Sequence, residues 1–150
     1  MDSLNLSWSD DYKIGIAVID EQHKRLFAYF DELATVIASG NPQGIEVIVN
    51  GLVSYAISHN TFEESLMAKA RYPMLDAHHK VHESFKSRAN KYLRQLEAGC
   101  DPLKLAEQVR IFIGLWLINH VKQEDRDYVP YVQKIDSGSL LSGLWKKLFR

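Results

Sequence analysis

The sequence predicts an all-α protein, an up-down-up-down four-helix bundle with an N-terminal arm and a short C-terminal amphipathic helix. Three observations predict it. Four successive segments repeat apolar residues at helical spacing, turn chemistry separates them at short intervals, and no useful stretch alternates with the period of two that a half-buried strand requires.

The first 18 or so residues carry Trp8, Tyr12, Ile14, Ile16 and Val18 without a helical start signal, and read as an extended, partly buried arm. Asp20 is the expected N-cap of the first helix, whose stripe is Leu26, Phe27, Phe30, Leu33, Ala34 and Ile37; Ser39-Gly40-Asn41-Pro42 ends it. The second helix is expected from about Gln43 to Ala70, with Ile45, Ile48, Val49, Leu52, Tyr55, Ala56, Phe62 and Leu66 inward, broken at Tyr72-Pro73. The third runs from about Met74 to Ala98, followed by Gly99 as its C′ residue. Asp101 and Pro102 supply an N-cap and an N1 proline for the fourth, expected from Pro102 to Asp127 and closed by Pro130. Short connections between such helices favour antiparallel neighbours.

A chain of 150 residues with 46% hydrophobic and 25% charged residues fits one globular domain, residues 1–150. A net charge of −1 offers no basic stripe for nucleic acid. The single cysteine, Cys100, excludes a disulfide framework and a thiolate metal site. The first residues lack the pattern of a signal peptide, and no apolar run is long enough to span a bilayer, so a soluble, cytoplasmic protein is expected; a monomer is the accompanying expectation.

Five of the six histidines fall into a pattern with carboxylates: His23, then His59 with Glu63, His78 with His82, and His120 with an acidic residue after it. The two i, i+4 pairs each put both side chains on one helix face, one turn apart. These positions adjoin apolar stripes, where an unpartnered imidazole or carboxylate costs several kcal/mol to bury. Four helices carrying such groups at similar depth point to a bound cation, and imidazole with carboxylate suits iron, zinc or manganese. A tetrahedral zinc takes about four ligands, so seven imply two metals. His79 lies about 100° round the helix from His78, with Glu83 its only candidate partner, and reads as surface. After His120, spacing alone leaves Glu124 at i+4 and Asp125 at i+5 as alternatives.

The stretches IGIAVIDEQHKRLF, HNTFEESLM, YPMLDAHHKVHESF and WLINHVKQEDRDY resemble the hemerythrin family in its bacterial single-domain form, over about residues 8 to 131. The family's H, H-x3-E, H-x3-H and H-x4-D order selects Asp125 over Glu124. The resemblance implies a non-haem di-iron centre. His78, His82 and His120 would bind one iron, and His23 and His59 the other. Glu63, Asp125 and an oxo or hydroxo group would bridge the two. The two-His iron is then one ligand short, which leaves a position for dioxygen.

The implied function is reversible dioxygen binding for carriage, storage or delivery, with an oxygen-consuming enzyme as a possible recipient. No acid–base residue is evident for an enzyme. The alternatives are oxygen or redox sensing, and di-iron peroxide or nitric oxide chemistry. Phe27, Tyr55, Phe62, Trp116 and Leu117 are candidates for the wall of an oxygen pocket. Beyond Pro130, Leu140, Leu141, Leu144, Trp145, Leu148 and Phe149 alternate with Lys146, Lys147 and Arg150, an amphipathic pattern suited to the bundle, a partner or an anionic membrane surface.

Overall fold

The computed structural model describes residues 6–135, with the backbone alone for 123–125. The elements among them are helical: α1 (Ala17–Ser39), α2 (Pro42–Lys69), α3 (Leu75–Glu97), α4 (Pro102–Asn119), a π-helical segment (His120–Glu124) and α5 (Asp125–Val132), preceded by a 3-10 turn at Asp10–Tyr12. The expected C-terminal amphipathic helix lies outside the described residues, as does the side chain of Asp125.

Several boundaries follow local chemistry. Asn41 and Asp101 cap α2 and α4, their side chains each accepting one hydrogen bond at 3.1 Å, from the amides of Gln43 and Leu103. Gly40 ends α1 in the left-handed conformation at φ 68°, which costs glycine nothing.

The start of α1 departs from expectation. Asp20 is not its N-cap; Ile16 holds that position and the helix is already running at Ala17. The Asp20 carboxylate instead reaches back from the first turn and accepts from the amides of Ile14 at 2.8 Å and Gly15 at 3.3 Å. Acid in a first turn suits the helix dipole, and burial of Ile16 and Ile19 rewards the earlier start.

The end of the bundle departs as well. The fourth helix changes to π winding at His120, and Pro130 lies inside α5 rather than closing it. A proline in a helix interior costs about 3 kcal/mol. Here Tyr128 and Val132, two residues before and two after it, are buried, and each such side chain returns about 1.5–3 kcal/mol. The proline itself is exposed, so its ring displaces no core.

Sequential helices pack on one another and α1 also packs on α4, which closes the ring of four. The core inside is divided. One apolar cluster joins Leu26, Phe27, Phe30, Ala56, Phe85 and Leu117 with their neighbours; a second joins Ile14, Ile19, Phe62, Leu66, Tyr72 and Tyr128. On α1, His23 falls between Ile19 of one cluster and Leu26 of the other, and on α2, His59 follows Ala56 and precedes Phe62. The predicted ligands thus occupy a buried polar seam between two apolar halves. No helix among the described residues is long and apolar enough to cross a membrane.

Candidate metal centre

Helical spacing brings the donors inward. His59 and Glu63 stand one turn apart on α2, His78 and His82 one turn apart on α3, His23 comes from α1, and His120 opens the π segment; all six are buried. Their ligand atoms form two groups, each within 4.8 Å: His23, His59, Glu63 and His120, and Glu63, His78 and His82. Glu63 belongs to both. Its Oε1 lies 3.1 Å from His120 Nε2 and 3.6 Å from His82 Nε2, and its Oε2 lies 3.4 Å from His59 Nε2. The ring centroid of His120 lies 5.0 Å from that of His59 and 5.8 Å from that of His82, with its Nε2 2.8 Å from that of His59.

Burial decides the charge of three of these rings. His23 is pushed down to about 3, first by desolvation and then by the nearby His120. His59 and His82 are also lowered, again chiefly by burial, against the opposing pull of Glu63. Neutral imidazoles keep the lone pair a metal requires. His82 Nε2 is buried and makes no hydrogen bond, an expense that an ion at that position would remove. Nitrogen and carboxylate donors in this proportion fit iron, zinc or manganese and offer nothing to metals that demand thiolate.

A family model for the hemerythrin HHE cation binding domain matches residues 14–132. The chain belongs to the hemerythrin family. A bacteriohemerythrin of Stenotrophomonas maltophilia (strain R551-3) is 36% identical over 128 residues, 85% of this chain and 82% of the relative. A myohemerythrin of Riftia pachyptila is 27% identical over 121 residues, 81% of this chain and 88% of the relative. A solved point mutant of hemerythrin has the same fold, with a TM-score of 0.75 at 25% identity, covering 85% of this chain and 96% of that one.

Around the donors stand residues that motif spacing does not reveal. Gln22 Oε1 lies 2.6 Å from His59 Nδ1. Tyr128 donates its hydroxyl to Glu63 Oε2 at 2.6 Å. Glu64 contacts two histidines at once, His82 Nδ1 at 2.7 Å and His79 Nδ1 at 2.6 Å. His79 is on the surface as expected, but its partner is Glu64 from α2 rather than Glu83. That contact raises the His79 pKa. Position gave one usable signal, since Gln22 and Glu64 each sit directly beside a predicted ligand.

The π winding bears on the H-x4-D spacing. An i→i+5 turn rotates less per residue than an α-turn, so the backbone at position 125 returns toward the azimuth of His120. On a regular α-helix an i+5 step swings about 140° round the axis, and the π winding shortens that swing here. Of the pocket candidates, Trp116 stacks on His120 with centroids 4.6 Å apart and planes at 24°. Leu117 is buried one turn before His120, and Phe62 is buried beside Glu63 in sequence. Phe27 packs against Trp8 and Tyr12, and Tyr55 against Tyr29.

Proposed function

We propose that this protein binds dioxygen reversibly at a non-haem di-iron centre, for oxygen carriage, storage or delivery. The observation that carries the reading is the single buried carboxylate of Glu63 common to two groups of imidazole donors, which is what a pair of adjacent metal ions requires. His23, His59, His78, His82 and His120 would hold the irons, with Glu63 and Asp125 shared between them. Iron, when bound, supplies reversible redox chemistry toward dioxygen.

The chain's own residues do the rest. Five imidazoles and two carboxylates give less negative charge than a carboxylate-rich di-iron site, which favours reversible binding over oxygen activation. Gln22 and Glu64 fix the imidazole orientations from behind. Buried Leu117 and Phe62, with Trp116 over His120, keep water and protons from the ligands. The names of the relatives, bacteriohemerythrin and myohemerythrin, support the same reading.

The test is anaerobic loading with ferrous iron, followed by air and then argon while the visible spectrum is recorded. A charge-transfer band that appears in air and disappears under argon, through repeated cycles, is the expected result. Irreversible bleaching on the first exposure would contradict reversible carriage.

A further inference from the structure

The carboxylate of Glu64 is not a ligand candidate, yet it links a buried donor to the protein surface. Its side chain is 23% exposed, that of His79 52% and that of His82 2%. A pair formed only for the surface would be satisfied by His79. Instead the two oxygens divide, Oε1 to His79 and Oε2 to His82. A carboxylate only accepts, so both rings present Nδ1–H to it. The lone pair of His82 is thereby fixed on Nε2, the atom that faces Glu63 Oε1 at 3.6 Å.

The other helix pair is built differently. Behind His59 stands the amide oxygen of Gln22, which orients the ring without a charge. A carboxylate behind an imidazole increases its basicity as a ligand more than an amide does. Two of the buried histidines around Glu63, His82 and His59, are therefore backed unequally, one by an anion on α2 and one by a neutral group on α1.

We infer that Glu64 is a positioning residue for the metal centre, which fixes the tautomer of His82 and strengthens it as a ligand, and that His79 holds Glu64 in place for that role. The inference rests on the reading of His82 as a ligand.

Cobalt(II) is a suitable probe, titrated into the metal-free full-length protein against a competing chelator. Glu64→Ala should weaken binding by about 100-fold and Glu64→Gln, which keeps the shape and an acceptor oxygen, by about 10-fold. His79→Ala removes one of the two donors to Glu64 and should weaken binding by less than either. Nitrogen-15 NMR of the metal-free protein should find His82 protonated on Nδ1 in the wild type and in Glu64→Gln, and shifted toward Nε2–H in Glu64→Ala. Wild-type affinity together with an unchanged His82 tautomer in Glu64→Ala would overturn the inference. His82→Ala separates the two levels: wild-type binding in that variant would remove the ligand assignment itself, whereas loss there with no effect at Glu64 refutes only the positioning role.

Discussion

Tyr128 and Glu63 are 65 residues apart in sequence, and the phenol donates to the carboxylate at 2.6 Å with both residues fully buried. This bond ties α5 to α2 at the point where the two donor groups share a ligand. Removing the hydroxyl leaves a carboxylate oxygen in the interior with one donor fewer. Tyr128→Phe should therefore destabilise the metal-free protein by about 1–3 kcal/mol, read from the urea midpoint at constant m-value. An unchanged midpoint would mean that the oxygen is satisfied in another way.

Metal should also be a stabilising ligand of the fold. At a free metal concentration about 100 times Kd, binding to the native state alone adds about 2.7 kcal/mol. Ferrous iron added anaerobically should raise the melting temperature of the wild type, and a chelator should reverse it. His59→Ala and His23→Ala should lose that shift and the oxygen-dependent band while the far-ultraviolet circular dichroism stays helical.

The pH dependence of the metal-free protein has a definite sign. His23, His59 and His82 have folded pKa values below the ordinary 6.5, that of His23 near 3. Between those values the unfolded chain binds more protons than the native one, so stability falls as pH falls. Chemical denaturation at pH 7 and pH 5 should give the lower stability at pH 5, before most carboxylates titrate. His79 contributes in the opposite direction, since its raised pKa favours the fold below the ordinary value and its contribution fades as pH rises through the folded one. Its exposure makes that contribution small.

Asp20→Ala tests the start of α1. It removes the acceptor for the amides of Ile14 and Gly15, at a cost of about 1–2 kcal/mol. Limited proteolysis should cut before Ala17 sooner in the variant than in the wild type. Equal rates would show that packing of Ile14 and Ile16 alone secures the arm.

The sequence carries local information well and distant information poorly. The stripes of α1 to α4, the turn at Ser39–Pro42, the cap at Asp101 and the paired spacings of His59/Glu63 and His78/His82 depend on residues within about one turn, so periodicity and turn chemistry reveal them. Glu64 meets His82 across 18 residues, Gln22 meets His59 across 37 and Tyr128 meets Glu63 across 65. Those partners depend on how the helices rotate against each other, which no single stretch encodes. Asp20 has a different cause: as an acid ahead of an apolar stripe it fits two capping geometries, and burial of Ile16 chose between them. The π turn has no propensity signature of its own and appears only where tertiary packing demands it.

That turn also sets the phase of everything after it. A π segment is equivalent to one residue inserted into an α-helix. Were the same residues wound as regular α-helix with none removed, α5 would rotate by about 100° relative to α4. Tyr128 would then leave Glu63, Val132 would leave the second apolar cluster, and the exposed face of Pro130 would turn toward the core. Deleting one of residues 121–124 would remove the extra residue and the wide turn together, and α5 would keep its face toward α2.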